Sequence, residues 1–348
     1  MRYRPLGGSG VKVSTLCLGT LMFGAWGRTG HDDAVTIIER ALDAGINYLD
    51  TADSYASGES EVIVGKALAK SGRRDRVVLA TKVYWNMSVD PNFRGLSRRW
   101  ITYEVEQSLR RLGTDYIDLY QVHRPDPETD IEETIDALSD LVKSGKVRYL
   151  GTSNFPAHRI VESQWAAASP GRRRFVAEQP QYSVLAREAE ADVLPTCQKY
   201  RLGVTTWSPL AGGWLSGRHR ADGDRASTPR SGRWPQRYDP STPVNQRKLA
   251  VVEQLAVLAQ EAGLTLPELA LAFVLNHPAV TSVAIGPRTL EQLEGQLKAP
   301  YTVLTRDVLD RIDEIVAPGA MLVDRADGSW IPPELTDPSL RRRSGATG

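Results

Sequence analysis

The sequence contains little of what a disulfide scaffold, a zinc site or a membrane span would require. Its 348 residues include only two cysteines, Cys17 and Cys197, and no CxxC motif or cysteine and histidine cluster, which argues against a disulfide framework and a metal site. No apolar run reaches the ~18 residues that a membrane-spanning helix needs, and the opening MRYRPLGGSG has no apolar signal-peptide core. We therefore expect two reduced, buried thiols, a cytoplasmic location and no membrane partner.

Charge of one sign is also scarce, because 43 basic residues almost balance 42 acidic ones and leave a net charge of +1. A protein that binds nucleic acid normally carries a clear basic excess. The composition therefore favours a small neutral or anionic substrate over a nucleic-acid partner. A hydrophobic content of 41% is enough for a large buried core.

Short apolar runs alternate with amphipathic stretches along most of the chain, which is the pattern of a βα repeat. Eight runs have strand character: Leu16–Leu18, Tyr48–Asp50, Val77–Lys82, Ile117–His123, Tyr149–Ser153, Phe175–Gln179, Val204–Ser208 and Val283–Gly286. Helices are predicted between them, for example over Asp33–Ala44, Thr102–Leu112, Ile131–Ser144 and Ala189–Tyr200. Eight such units predict a single (β/α)8 TIM barrel over residues 1–317 that begins with a β-hairpin. No GxGxxG motif follows the early runs, which disfavours a doubly wound sheet.

Two segments lack this pattern. Residues 212–245 are rich in Gly, Pro, Ser and Arg and are predicted to form a long loop after the seventh strand. Such a loop is either a mobile lid or an unstructured insertion, and its length favours neither. The tail, residues 318–348, is polar and proline-rich, and we expect its last residues to be disordered.

Ionisable side chains lie at the carboxyl ends of three successive predicted strands. Active sites of this fold are built at that end of the barrel. Asp50 ends the second strand, with Tyr55 in the loop behind it; Lys82 ends the third and His123 the fourth. An ammonium held by Asp50 would lower the pKa of the Tyr55 phenol, and His123 would orient a carbonyl oxygen or relay a proton. Each residue alone has a structural explanation, such as helix capping by Asp50. Together they predict general acid catalysis, which for carbonyl reduction also needs a hydride donor.

Motifs in the same order along nearly the whole chain carry a family resemblance. They are LDTADSY with GESEVIVGKAL, LATKVYW, LYQVHRPDP, YLGTSNF, WSPLAGGWLSG and AIGPRTLEQLEGQL. To about Leu297, the chain resembles the aldo-keto reductase superfamily, and within it the branch of potassium-channel β subunits and bacterial general reductases. The resemblance implies a (β/α)8 barrel that uses NADPH without a metal. It also implies that Tyr55 is the proton donor and that Asp50, Lys82 and His123 complete a tetrad.

The same resemblance implies a cofactor site on the neighbouring strand ends. Ser153, Asn154 and Gln179 would hydrogen-bond the nicotinamide carboxamide, Trp207 would stack on its ring, and Arg288 would bind the 2′-phosphate of NADPH. The chain has Gly295-Gln296 where many relatives have a Glu-Asn pair that contacts adenine, so these contacts are expected to differ, while Arg288 still favours NADPH over NADH. The remaining cofactor-binding residues would be Ser208, Pro209, Leu210, Gly212, Gly213, Gly286 and Gln292.

Aromatic residues beside the barrel rim are expected to form the walls of a substrate pocket. They suit sugar rings and apolar aldehydes alike, so a keto-sugar, a small aldehyde and a polyketide-like ketone stay open as substrates. The expected function is NADPH-dependent reduction of an aldehyde or ketone, and the alternative is a cofactor-binding regulatory subunit with slow residual reductase activity. The oligomeric state is not indicated. The proposed walls are Phe23, Trp26, Tyr84, Trp85 and Trp214, with Trp330 of the tail as a weaker candidate.

Overall fold

Eight parallel strands close into a barrel in the computed structural model, which describes residues 1–220, 228–323, 331 and 333–340. An antiparallel hairpin, β1 (Tyr3–Pro5) and β2 (Lys12–Ser14), comes before the barrel. The last barrel strand pairs with the first and closes the ring, so the predicted TIM barrel with an N-terminal hairpin is confirmed. The barrel strands are β3 Leu16–Gly19, β4 Tyr48–Asp50, β5 Val78–Val83, β6 Ile117–Val122, β7 Val147–Ser153, β8 Phe175–Gln179, β9 Gly203–Thr206 and β10 Val280–Ile285.

The helices that follow the strands bury one apolar stripe each against the barrel. Their ends carry recognisable caps: the Thr265 hydroxyl accepts a hydrogen bond from the Glu268 N–H, and Gly113 ends another helix in a left-handed conformation. The described helices are α1 His31–Asp43, α2 Glu59–Ser71, α3 Arg98–Leu112, α4 Ile131–Lys143, α5 Ala157–Ala166, α6 Val193–Tyr200, α7 Pro229–Arg233, α8 Pro243–Glu261, α9 Leu266–Asn276, α10 Leu290–Gln296, α11 Arg306–Ile315 and α12 Pro333–Thr336.

Some predicted element boundaries were wrong. Helix α3 begins at Arg98 rather than Thr102, because Ser97 caps it by accepting a hydrogen bond from the Trp100 N–H. Helix α6 begins at Val193 rather than Ala189, and a separate 3₁₀ turn, Glu188–Glu190, lies before it. Strand β10 begins at Val280, three residues earlier than predicted.

The predicted loop of residues 212–245 contains regular structure. It includes most of a 3₁₀ turn, Ala211–Ser216, followed by helix α7 and a second 3₁₀ turn, Pro235–Tyr238. Helix α8 begins at Pro243, because Thr242 caps it and a proline is well suited to the first helical position. Residues 221–227 lie outside the described part of the chain, so the structure tests neither the lid nor the insertion interpretation there.

The first residues of the tail pack against the barrel. The Leu322 N–H donates to the Leu185 carbonyl at 2.9 Å, and the Arg187 N–H donates to the Ala320 carbonyl at 2.8 Å. The expected disorder of the last residues and the position of Trp330 lie outside the described residues.

Within the described residues, no single helix has the length and apolar composition to cross a membrane. Helices α8 and α9 meet that requirement only as a pair, and they are bent by 91° relative to each other. Cys17 and Cys197 are both buried free thiols, as predicted.

The N-terminal hairpin closes the bottom of the barrel. Leu6, in its turn, is fully buried in a cluster with the inward-facing Cys17 and Tyr48. The next residue, Gly7, has a φ of +58°, and a Cβ atom there would lie 2.4 Å from the backbone nitrogen of Gly203. A glycine at this position therefore lets the turn approach the barrel backbone closely.

Replacing Gly7 with alanine should lower the free energy of unfolding by about 2 kcal/mol or more, through a steric clash and a strained φ. Gly10→Ala is a matched control in the same turn, because a Cβ there meets no atom within 4 Å. Its stability should stay within ~0.5 kcal/mol of the parent protein. Urea denaturation of the two variants measures the difference, and equal stabilities would contradict a closely packed turn.

Candidate active site

Three of the four predicted acid-base residues are in direct contact at the carboxyl end of the barrel. The Lys82 ammonium donates to Asp50 Oδ2 at 2.6 Å, to the Thr51 carbonyl at 2.8 Å and to the Tyr55 hydroxyl at 3.4 Å. His123 packs against the tyrosine, with 5.8 Å between the ring centroids and an angle of 73° between the ring planes. The structure therefore brings all four residues together.

The ion pair between Lys82 and Asp50 is almost fully shielded from water, with side-chain exposures of 0% and 5%. The second carboxylate oxygen, Asp50 Oδ1, accepts hydrogen bonds from the side-chain amides of Gln121 and Gln179, each at 3.0 Å. Burial acts to lower the pKa of Lys82, but the charge of Asp50 and the hydrogen bonds to Asp50 and Tyr55 act to raise it, and the net pKa is raised. The lysine is therefore a permanent cation beneath the phenol.

The pKa of Tyr55 differs in direction from the sequence prediction. Burial raises it, and the opposing effect of the Lys82 charge is smaller. The expectation of a net lowered phenol pKa was therefore wrong, because it ignored the cost of removing a phenolate from water. At neutral pH Tyr55 carries its proton, and Lys82 reduces the cost of losing it.

His123 is held as a neutral imidazole. Burial lowers its pKa well below the usual value, and the positive charges of Lys82 and Arg124 act in the same direction. Its Nδ1 atom is buried without a hydrogen-bond partner in the described residues. A neutral ring beside Tyr55 can orient an uncharged oxygen without adding a second charge.

The loop that carries Tyr55 has an unusual backbone. Ala56 and Ser57 have left-handed φ values of 49° and 58°, and Gly58 follows with a φ of 92°. Just beyond it, Arg111 of α3 donates to the buried carboxylate of Glu61 at 2.6 Å and also pairs with Glu104. These charge-assisted bonds fasten α2 to α3 and so hold the strained turn in place.

Two cavities meet at this tyrosine. One, of about 860 Å³, opens beside His123, and the other, of about 920 Å³, extends towards Arg288. Tyr55, Gln179 and Trp207 line both. We call the first the substrate cavity and the second the cofactor groove.

The residues predicted to hold a nicotinamide form one hydrogen-bonded set. The Trp207 indole N–H donates to Asn154 Oδ1 at 3.0 Å, and the Asn154 amide donates to Ser153 Oγ at 2.9 Å. The Ser153 hydroxyl in turn donates to the Gln179 carbonyl at 2.9 Å. These bonds fix the side chains at the junction of the two cavities.

The cofactor groove has positive charge and an unobstructed backbone, two properties that suit the phosphates of a dinucleotide. Burial lowers the pKa of Arg288, as do the nearby charges of Arg218 and Arg230, so three guanidinium groups converge where an anion would relieve their repulsion. Gly212 and Gly213 have φ values of 71° and 108°, which turn the backbone along the groove without side chains in the way. The other predicted residues that line this groove are Ser208, Pro209, Leu210, Gly286 and Gln292.

Gln296 is one of the two residues, with Gly295, at which the family resemblance implies altered adenine contacts. It is 8% exposed, lines the cofactor groove, and has a buried side-chain oxygen without a hydrogen-bond partner in the described residues. Its amide can pair with a polar ligand edge in the groove. Together with the arginines, it gives the groove polar and positively charged groups that are compatible with a phosphorylated nucleotide.

The predicted substrate walls separate into two groups. Trp26, Tyr84, Trp85 and Trp214 line the substrate cavity. Phe23 does not, because its side chain is fully buried in the hydrophobic core. Phe23 lies early in the loop after β3, where its side chain packs into the core. Trp26, later in the same loop, lines the cavity instead.

Several residues of the site were missed from the sequence. Gln121 lies on β6, two residues before His123, so period-two alternation within the predicted strand Ile117–His123 could have placed it facing the barrel interior. Arg124 and Trp234 also line the substrate cavity. Arg124 directly follows the fourth predicted strand, so its place at the rim was predictable, whereas no strand pattern indicates Trp234. Trp234 lies within the segment predicted to be an irregular loop.

In the described residues no group of three or more His, Cys, Asp or Glu could hold a metal ion.

The closed barrel, with acid-base residues at its carboxyl end, has the architecture of a TIM-barrel enzyme. Comparison with known proteins identifies its family. The sequence model of the aldo/keto reductase family matches residues 15–317. An uncharacterised oxidoreductase of Bacillus subtilis, YrpG, is 42% identical over 328 residues, covering 90% of this chain and 96% of the relative. The chain belongs to the aldo/keto reductase family of oxidoreductases.

Other relatives carry different names. A probable voltage-gated potassium channel subunit beta of Arabidopsis thaliana is 36% identical over 327 residues, covering 91% of this chain and 97% of the relative. An aldo-keto reductase of Fusarium vanettenii is 36% identical over 346 residues, covering 91% of each chain. The resemblance to the aldo-keto reductase superfamily, and within it to the branch of potassium-channel β subunits and bacterial reductases, is thereby confirmed.

Glu178 is a buried carboxyl group on β8, next to Gln179 of the predicted nicotinamide-binding set. Its carboxyl group accepts hydrogen bonds from the Thr152 hydroxyl and, at 3.2 Å, from the Phe155 N–H. Burial raises the pKa of Glu178 to about 8, although these hydrogen bonds act to lower it. The carboxyl group therefore carries a proton in the folded protein at neutral pH.

This raised pKa predicts a pH-dependent stability. The unfolded value is ~4.3, so between that pH and about 8 the folded state binds one more proton and stability falls as pH rises. Glu178→Gln removes the titration while keeping a similar shape. From pH 5 to about 8, the unfolding free energy of the parent protein should therefore fall relative to the variant by several kcal/mol.

Denaturant titrations at several pH values measure this difference. Glu291→Gln, at an exposed position of α10, is the control for the chemical change from Glu to Gln. A constant difference between Glu178→Gln and the parent protein would contradict the raised pKa.

Proposed function

We propose that the protein reduces an aldehyde or ketone to the alcohol, with NADPH as hydride donor and Tyr55 as proton donor. The observation that carries this proposal is the position of Tyr55. It lies where the cofactor groove meets the substrate cavity, with its hydroxyl 3.4 Å from a buried ammonium. Membership of an oxidoreductase family supports the redox part of the assignment.

When bound, NADPH supplies a hydride to the carbonyl carbon. The Tyr55 O–H hydrogen-bonds the carbonyl oxygen and donates its proton as negative charge develops there. Burial keeps the phenol protonated beforehand, and the Lys82 ammonium stabilises the phenolate that remains. His123, as a neutral ring, helps to orient the same oxygen without competing for the charge.

The charge of the cofactor groove favours NADPH over NADH. Arg288 lies at the end of the groove, and its backbone N–H donates to Gln292 Oε1 at 2.9 Å, which fixes the turn before α10. A guanidinium fork binds a phosphate with two hydrogen bonds. NADH has no 2′-phosphate to use this contact.

A second candidate function is that of a cofactor-binding regulatory subunit. It is favoured by relatives from Arabidopsis thaliana and Schizosaccharomyces pombe whose names describe potassium channel β subunits. Repeated turnover of NADPH with a panel of aldehydes would support the reductase. Consumption that stops after one equivalent of bound NADPH would support the regulatory function.

Replacing Tyr55 with phenylalanine removes the proton donor and keeps the packing of the ring. Carbonyl reduction should fall ~10²- to 10⁴-fold in kcat, the usual contribution of a general acid, while NADPH affinity stays close to the parent value. Absorbance at the NADPH band measures turnover, and fluorescence titration measures binding. Tyr103→Phe, on the exposed face of α3, is the control for loss of a tyrosine hydroxyl. Near-normal turnover by the Tyr55 variant would overturn the assignment.

Replacing Arg288 with alanine should raise the dissociation constant for NADPH about 10- to 100-fold, as expected for loss of a charge-assisted contact. The constant for NADH should change little. Arg306→Ala is the control, because that side chain is 95% exposed outside the groove. Equal weakening of both cofactors would indicate that Arg288 acts on the fold rather than on the 2′-phosphate.

A further inference from the structure

The loop that carries Trp26 is closed on itself. It lies between β3 and α1, and we call residues 20–30 the Trp26 loop. The Gly24 N–H donates to the Thr29 carbonyl at 3.2 Å, and the Thr29 hydroxyl donates to the Met22 carbonyl at 3.2 Å. These bonds make the loop a compact unit, so the position of Trp26 depends on what holds that unit against the barrel.

One carboxylate joins this loop to another element. The Ala25 N–H donates to Glu59 Oε2 at 2.8 Å. A Cβ atom at Gly24, whose φ is +75°, would overlap the same oxygen, so the loop backbone lies directly against the carboxylate. Among the described residues outside the loop, Glu59 alone hydrogen-bonds residues 24–29. A single side chain therefore fastens this part of the loop.

Glu59 is itself held at its other oxygen. His31 Nε2 lies 2.9 Å from Glu59 Oε1, and Lys66 Nζ lies 3.0 Å from His31 Nδ1. An ammonium only donates hydrogen bonds, so Nδ1 accepts and the hydrogen on Nε2 points to the carboxylate. The hydrogen bond from Ala25, and then that from His31, lower the pKa of the Glu59 carboxyl. It is therefore a carboxylate at neutral pH, with both oxygens engaged.

The same glutamate adjoins the turn of the proton donor. Glu59 is the first residue of α2, and the 3₁₀ turn Tyr55–Gly58 ends directly before it. The Trp26 ring centroid lies 6.3 Å from that of Tyr55, with 50° between the ring planes, and both side chains line the substrate cavity. Glu59 lines neither cavity. It therefore connects one wall of the substrate cavity with the turn that presents Tyr55, from outside both cavities.

We propose that Glu59 is a positioning residue for substrate specificity: it holds Trp26 at a fixed distance from Tyr55 and so determines how well the cavity accepts a bulky carbonyl compound. A small aldehyde contacts mainly the acid-base residues, whereas a ring attached to the carbonyl carbon reaches the aromatic wall. Glu59 acts through Trp26 and does not touch the reacting atoms. This inference rests on the proposed reductase function and adds a source of specificity to it.

The test compares benzaldehyde with acetaldehyde, which is too small to reach Trp26 from Tyr55. Trp26→Ala should lower kcat/KM for benzaldehyde about 10-fold, through loss of the aromatic wall, and leave that for acetaldehyde almost unchanged. Glu59→Ala should lower the benzaldehyde value about 3- to 10-fold, mainly through KM, as expected for loss of one charge-assisted hydrogen bond. Glu59→Gln keeps an oxygen for the Ala25 N–H and should retain part of the preference.

Further variants show whether Glu59 acts through the wall. Glu39→Ala is the matched control: Glu39 also links α1 with α2, through Lys70 at 2.8 Å, and lines neither cavity. It removes the same charge and should leave both aldehydes unaffected. In the Trp26→Ala background, Glu59→Ala should have no further effect on benzaldehyde, because the wall is already absent. Gly24→Ala displaces the carboxylate from the other side, so it should shift the preference in the same direction and keeps the test if Glu59→Ala fails to fold.

Hydrogen exchange of the Trp26 loop gives a readout that does not depend on turnover. Glu59→Ala should speed exchange of the Ala25 amide about 10-fold or more, because that N–H loses its partner, and Glu39→Ala should not.

The outcomes separate this inference from the reductase proposal. Equal losses of Glu59→Ala on both aldehydes, an unchanged preference in Trp26→Ala, or additive effects in the double variant would overturn the specificity role and leave the reductase standing. Unchanged exchange in Glu59→Ala would overturn only the role of Glu59. No turnover with either aldehyde would overturn both proposals.

Discussion

The buried ion pair of Lys82 and Asp50 is the interaction on which the rest of the site depends. Two charges removed from water cost several kcal/mol each unless close partners replace the solvent. Here both carboxylate oxygens and the ammonium are hydrogen-bonded, by Gln121, Gln179 and the Thr51 carbonyl as well as by each other. The side chains involved come from β4, β5, β6 and β8, and only a closed barrel brings all four strands within reach. The barrel therefore stabilises a cation at the one place where it can act on the phenol.

Backbone strain is concentrated at the same rim. Seven described residues other than glycine have a positive φ, and Ser57, Asn154, Ser208 and Ala211 among them line the substrate cavity. A left-handed conformation costs such a residue roughly 1–2 kcal/mol, so the surrounding contacts must repay it. At the Tyr55 loop the contacts of Arg111 with two buried carboxylates have this effect, and at Asn154 the bonds to Trp207 and Ser153 have it. Specific partners therefore balance the strain at this rim.

The positive charge of the cofactor groove was easier to predict from the sequence than that of the substrate cavity. Arg288 follows a recognisable strand and precedes a helix, so its position at the groove was predictable from the motif. Arg233 and Trp234 lie in a segment whose composition predicts an irregular loop, yet short helices order it over the cavity. Arg218 and Arg230 join Arg288 only because that segment folds back across the barrel end. The cation–π stacks of Arg233 over Trp26 and Arg237 over Trp234 depend on this fold, and no local pattern indicates them.

The periodicity of the chain by itself determined the barrel and most of its strand ends, because the alternation of apolar runs and helices is a local property. It also determined which residue types reach the rim, and so the candidates Asp50, Tyr55, Lys82 and His123. Only the tertiary structure decided their protonation states: burial raises the pKa of Tyr55 despite the nearby cation and keeps His123 neutral. It likewise decided that Phe23 belongs to the core and that Gln121 binds Asp50. Desolvation and long-range contact depend on what surrounds a side chain in space, and the order of residues does not contain that information locally.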